Sequence, residues 1–225
     1  MSDTAEARER DEPVTIDVVS DAVCPWCFLG KRHLDLALEQ IGEVKTEVRW
    51  RPFQLDATIP REGMRRIDYL TRKFGPDGVG RMNTRLIEAG RNVGVDFAFE
   101  KIERSPNTLD AHRLIRWAQP RGVQDEVVER LFSLYFQRGR DIGDLDILAD
   151  VARDFGFERA MARRMLDGET DKDEVREEIA TAQRMGVTGV PFFIFDGKYA
   201  LSGAQPPQTI AGAIGKALAG RGGEG

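Results

Sequence analysis

The stretch Ser20-Asp21-Ala22-Val23-Cys24-Pro25-Trp26-Cys27-Phe28-Leu29-Gly30 contains both cysteines of a 225-residue chain. Such a pair can serve as a staple, as half of a metal site, or as a dithiol that exchanges electrons. A disulfide across two intervening residues closes a very small loop and constrains the unfolded chain little. A zinc site needs about four ligands, and beside the cysteines the chain offers only His33 and His112. Thiol–disulfide exchange needs the pair alone. One thiolate attacks a disulfide, and the second resolves the mixed disulfide that results.

The surrounding elements must position these thiols. Val14–Ser20 follows Pro13, is rich in β-branched residues and reads as a strand. From Pro25 onward, Phe28, Leu29, Leu34, Leu36, Leu38 and Ile41 recur at broadly helical spacing up to Gly42. Pro25 suits a first helical turn, having no N–H to lose. Cys24 then falls at a helix N-terminus, where unpaired amides and the helix dipole stabilise a thiolate, and Cys27 falls one turn on. Thr46–Phe53 alternates and reads as a second strand, completing a βαβ unit.

The next 125 or so residues are helical in pattern, with segments at Val79–Val93, Thr108–Ala118, Val123–Arg138, Leu145–Phe155 and Asp173–Met185. Phe192–Phe195, the turn Asp196-Gly197 and Tyr199–Ser202 form a hairpin, followed by a helix over Pro207–Leu218. This is the plan of an α/β thioredoxin fold (βαβ + ββα) with an inserted all-helical domain. Residues 13–60 and 187–219 make the thioredoxin-like domain and 61–186 the insert. Residues 1–12 read as a disordered tail and 220–225 as a flexible one.

Acidic and basic residues interleave along a chain of net charge −5, and no basic block marks a nucleic-acid partner. The first twelve residues lack the apolar core of a secretory signal, and no run is long enough for a membrane span. The expectation is a cytoplasmic protein, where a lone cysteine pair is rarely structural.

Gly189-Val190-Pro191-Phe192-Phe193 adds a proline directly before a strand, a place where a cis bond is expected beside such a dithiol. With the cysteine stretch and with Ser105-Pro106-Asn107-Thr108-Leu109-Asp110-Ala111-His112-Arg113-Leu114, it makes residues 14–218 resemble the DsbA-like thioredoxin superfamily. The resemblance is to the FrnE-like branch of dithiol oxidoreductases, close to 2-hydroxychromene-2-carboxylate isomerases and kappa-class glutathione transferases. It implies that Cys24 attacks, Cys27 resolves and Pro191 faces them in the cis form. It also implies that the Val190 backbone pairs with an extended substrate segment. The chain departs from DsbA in carrying Pro25-Trp26, without histidine, between the cysteines, so a less extreme oxidant is expected. It departs from thioredoxins in placing Val18 where they bury a carboxylate, which leaves the proton acceptor unassigned.

Asp17 and Asp21 are the nearest acids, and Asp21 is expected to cap the loop before the helix. Trp26, with Pro25, is read as a substrate contact beside the dithiol. Ser105 or Asn107 is a natural N-cap for the helix carrying His112. The resemblance lets Asn107 and His112 line the groove, against the plainer reading of His112 as a packed, hydrogen-bonded side chain. His33 is read as solvated, Phe192–Phe195 as core strand, and Met161, Met165 and Met185 as helix packing.

The leading expectation is a thiol–disulfide oxidoreductase or isomerase acting on disulfide-containing proteins or low-molecular-weight thiols. It binds no cofactor, with glutathione or another thiol available as reductant. Two alternatives stand beside it: a glutathione-dependent isomerase or transferase, in which serine usually replaces the attacking cysteine, and a chaperone-like binder.

Overall fold

The seven residues Val14–Ser20 form strand β1, in which Val14, Ile16 and Val18 are fully buried on one face. A computed structural model describes residues 12–221. Of the tails expected at residues 1–12 and 220–225, residues 1–11 and 222–225 lie outside the described residues. Helix α1, Pro25–Ile41, begins with proline in its first turn and ends at Gly42, whose φ of 62° suits a residue without a side chain. Strand β2, Thr46–Pro52, runs parallel to β1. Strands β5, Phe192–Phe195, and β6, Tyr199–Ser202, complete an antiparallel hairpin, and the sheet order is β2-β1-β5-β6. The final helix, α9, spans Pro207–Gly220. Val14, Ile16 and Val18 share a core with Phe28, Leu34 and Ala37 of α1 and with Ile210 and Ile214 of α9.

Between β2 and β5 lie α2 (Arg66–Phe74), α3 (Pro76–Arg91), α4 (Leu109–Ala118), α5 (Gln124–Phe132), α6 (Leu145–Asp154), α7 (Arg159–Asp167) and α8 (Lys172–Arg184). The insert is not purely helical. Met64–Arg65 (β3) pairs with Arg104–Ser105 (β4) in a short antiparallel ribbon, too brief for any alternation to reveal. The expected helix over 123–138 holds as far as Phe132 and then widens into a π-helical turn at Ser133–Gln137. At the C-terminus, α9 outlasts Leu218. Arg221 is anchored by Asp196 at 2.7 Å and by the Pro13 carbonyl at 2.8 Å, so residues 220–221 are not a loose tail.

Three contacts fuse the insert to the sheet. Phe28 of α1 stacks on Phe132 at 5.1 Å and meets Phe97 edge-on at 6.0 Å. Gln124 of α5 reaches the free edge of β2, where its Oε1 accepts from Trp50 N at 2.8 Å and its Nε2 donates to Trp50 O at 3.2 Å. An edge that would template foreign strands is thereby satisfied. Lys31 of α1 is buried against Asp125 at 2.9 Å and Asp35 at 3.1 Å. Burial favours its neutral amine, but the carboxylates outweigh it and hold the ammonium above its ordinary pKa.

Arg113, on α4, is the largest fully buried side chain. Its guanidinium donates to Thr170 O and Asp110 Oδ1, each at 2.6 Å, and to Leu166 O, Gly168 O and Met165 O. One side chain thus ties α4 to the end of α7 and the loop before α8. Of the methionines expected to pack helices, Met165 does so, while Met161 and Met185 are more than half exposed. They fall on the outward faces of α7 and of the C-terminal end of α8.

Replacing Arg113 with Met should destabilise the protein by about 3–5 kcal/mol, because Asp110 and several carbonyls lose a buried partner. Urea unfolding should report this as a lower midpoint with an unchanged slope.

Candidate active site

Cys24 is the N-cap of α1, and its amide donates to Asp21 O at 3.0 Å to form the turn leaving β1. Cys27 lies one turn on, completely buried, while Cys24 is 3% exposed. Both are free thiols. Cys24, the Ser20 hydroxyl and the backbone of Asp21 are the polar groups beside the Cys27 sulfur. Burial, and then the Cys24 sulfur, push the Cys27 thiol well above its ordinary pKa. The two thiols therefore differ in environment although three residues apart.

The other side of the dithiol comes from the far end of the chain. The Val190–Pro191 peptide is cis, and the Cys24 thiol donates to Val190 O at 3.6 Å. Pro191 is held close because Gly30 has no side chain. A Cβ there would stand 2.7 Å from Pro191 Cγ, well inside van der Waals contact.

Asp21 is 1% exposed and spends its carboxylate locally. Oδ2 accepts from Leu55 N at 2.8 Å, and Oδ1 lies 3.5 Å from Val23 N and 3.6 Å from His112 Nε2. Asp17 faces elsewhere and pairs with Arg51 at 2.6 Å.

Above Cys24 opens a cavity of about 360 Å³ between the thioredoxin elements and the insert. Asp21, Cys24, Pro25, Trp26 and Val190 form its floor and near rim. Leu55, Ile59, Tyr69, Leu70, Phe74 and Met82 make a largely apolar far wall. Trp26 is 42% exposed and also borders a neighbouring open cavity with Arg81, Met82 and Arg85. Arg66 and Lys73 bring positive charge to the cavity lining, and Asp56, near Lys73, brings a negative one. Burial depresses the Arg66 pKa, partly offset by the Tyr135 hydroxyl beside it, and no carboxylate pairs with it among the described residues. Burial likewise pushes the Tyr135 phenol up to about 12, so this hydroxyl stays neutral.

The structure thus brings Cys24, Cys27, Pro25, Trp26, Val190 and Pro191 together. Asn107 and His112 do not line this cavity. Asn107 bridges the loop after β2 to the start of α4, donating to Ile59 O at 2.7 Å and accepting from Gln54 Nε2 and Leu109 N at 3.0 Å. These bonds hold its amide toward the protein rather than the cavity. His112 is buried behind Asp21, with Nε2 2.8 Å from Phe53 O. His33 is half-buried rather than solvated, because its Nδ1 lies 2.9 Å from Gln205 O in the segment before α9. Arg66, Tyr69 and Tyr135 escape a reading of the sequence. Their spacing is that of ordinary amphipathic helices, and nothing local says that the buried face borders a cavity. Among the described residues no three His, Cys, Asp or Glu side chains converge to hold a metal.

Comparison with known proteins agrees with this fold. A protein of Bacillus subtilis, YwbO, is 29% identical over 202 residues, which are 89% of this chain and 96% of that protein. The crystal structure of a probable DsbA oxidoreductase from Streptomyces coelicolor superposes with a TM-score of 0.84 at 28% identity, covering 92% of this chain and 90% of that one. The cytosolic disulfide reductase DsbM of Pseudomonas aeruginosa, 18% identical, shares the fold at a TM-score of 0.61 over 91% of this chain and 95% of its own. The family described as DSBA-like thioredoxin domain matches residues 15–215, and the chain belongs to that family.

Proposed function

We propose that the protein is a thiol–disulfide oxidoreductase in which Cys24 attacks and Cys27 resolves. The observation that carries this reading is the asymmetry of the pair. Cys24 caps a helix at the floor of an open groove, and Cys27 is sealed directly behind it. The Cys24 sulfur attacks one sulfur of a substrate disulfide, and the other sulfur leaves as a thiolate. Cys27 loses its proton and attacks Cys24, a Cys24–Cys27 disulfide forms, and the second substrate thiolate departs. The substrate gains two electrons, and an external thiol such as glutathione restores the dithiol. Run backwards, the same steps oxidise a dithiol client. A lone cysteine pair used in this way suits a reducing, cytoplasmic setting.

The groove adds a substrate preference. Its apolar wall suits the body of a small disulfide or an extended segment, and the unpaired Arg66 favours one bearing a carboxylate. The alternative glutathione-dependent isomerase would need Cys24 only to position a thiol cofactor and would have little use for Cys27.

Cys24→Ser should reduce disulfide turnover to background. Cys27→Ser should retain the first step and accumulate mixed disulfides, visible as adducts on a non-reducing gel of cell lysate. An active Cys24→Ser and a Cys27→Ser that captures nothing would favour the isomerase. Arg66→Gln should slow reaction with dithiodipropionate by about tenfold or more, the loss of one charge-assisted hydrogen bond, and leave the neutral hydroxyethyl disulfide unchanged.

A third outcome follows from burial, which raises the Cys27 thiol more than Cys24 does and persists in Cys24→Ser. Alkylation of that variant by iodoacetamide should be slow at neutral pH and rise about tenfold per pH unit. The sign for stability is the same. The unfolded thiol ionises first, so the variant should lose stability as pH rises above roughly 8.5.

A further inference from the structure

The resolving thiol has to lose a proton from a fully buried site. The β1 residue six positions before Cys24 is Val18, fully buried and apolar, and the carboxylate that β1 does carry, Asp17, is paired with Arg51 at 2.6 Å. Among the described residues, the hydroxyl beside the Cys27 sulfur is that of Ser20, itself 5% exposed. Ser20 also lines a small internal cavity of about 10 Å³ together with His112, at the roughly 10–15 Å³ threshold for a single water molecule. Another cavity of about 10 Å³ lies against His112, bordered by Arg116, Gln119 and Glu178 toward the surface of α4 and α8.

The His112 ring is set up to receive a proton. Nε2 faces the Phe53 carbonyl at 2.8 Å, and since a carbonyl only accepts, Nε2 carries the hydrogen. That leaves Nδ1 as the acceptor of the neutral ring, and it has no protein partner among the described residues. Asp21 Oδ1, 3.6 Å from Nε2, is positioned to stabilise the ring once it is cationic. The other charges around His112 are spent in pairs, Arg51 on Asp17 and Arg116 on Glu178.

We propose that Ser20 and His112, with Asp21 behind them, are the proton relay of the resolving cysteine. The proposal rests on the dithiol reading above and adds to it the route of the proton. As Cys27 attacks, its S–H proton passes to the Ser20 oxygen. The Ser20 hydroxyl proton crosses the cavity, through a single water, to His112 Nδ1. The electron pair left on Cys27 forms the bond to Cys24, the Cys24–substrate bond breaks, and the substrate leaves as a thiolate. In the reverse direction the imidazolium returns the proton as Cys27 is released. Ser20 stands beside the reacting sulfur, and His112 and Asp21 are positioning residues that act through it.

The test is stopped-flow reaction of the reduced protein with dithiobis-nitrobenzoate, which liberates one coloured thiolate when Cys24 attacks and a second when Cys27 resolves. The first phase reports the dithiol reading and the second the relay. Ser20→Ala and His112→Phe should leave the first phase unchanged and slow the second about a hundredfold near neutral pH, the lower end of general-base effects. The second phase of the variants should climb tenfold per pH unit and approach wild type at high pH, where Cys27 ionises unaided. That of the wild type should be flatter. Ser20→Thr, which keeps the hydroxyl, should restore the wild-type profile, and it decides the matter if His112→Phe fails to fold. A wild-type second phase at neutral pH in Ser20→Ala, or an equal loss in both phases at every pH, overturns the relay. An absent first phase in the wild type overturns the dithiol reading itself.

Discussion

Two thiols three residues apart occupy unequal places, one lining a cavity and one sealed, and much of the architecture around them serves that difference. A helix N-terminus creates it with little material. The first thiol caps the helix at the bottom of an opening, and the second lies one turn deeper against the end of a strand. The seal is then completed by remote residues. Pro191 closes over α1 only because Gly30 has no side chain, and Val190 offers its carbonyl to the Cys24 thiol.

The insert is part of this arrangement rather than an appendage. Phe28 lies immediately after Cys27, and it packs on Phe132 and Phe97 of the insert in one continuous core. Lys31, a turn further along, is locked by Asp125. The helix that carries the dithiol is therefore gripped from both sides, so the groove above Cys24 has a rigid floor. A core of this density tolerates little change in volume, which ties the geometry of the site to residues that never touch it.

Electrostatics divides the site in a similar way. The chain is acidic as a whole, yet the far wall of the groove presents Arg66 and Lys73. Asp21, close to the thiols, is held by the Leu55 amide at 2.8 Å and lies 3.5 Å from the Val23 amide. Arg66 is the opposite case, a desolvated cation over the Phe99 ring and beside the Tyr135 phenol, with no carboxylate partner among the described residues.

The local sequence determined what local physics controls. Proline directly after Cys24, apolar residues at helical spacing and a β-branched run before them were enough to place both thiols at a helix N-terminus. The alternation of β2 and the Asp196-Gly197 turn were enough for the sheet, and with the cysteine spacing they specified a thioredoxin plan carrying a helical insert. Only the tertiary structure decided which polar side chains face the groove. Asn107 and His112 stand in a stretch that suggested a lining role, yet their hydrogen bonds turn inward to Ile59, Gln54 and Phe53. Arg66 and Tyr135 carry no local mark and line it. The reason is physical. A helical period tells which face is buried, but whether that face meets packed side chains or an open cavity depends on elements tens of residues away, and no spacing within one helix encodes it.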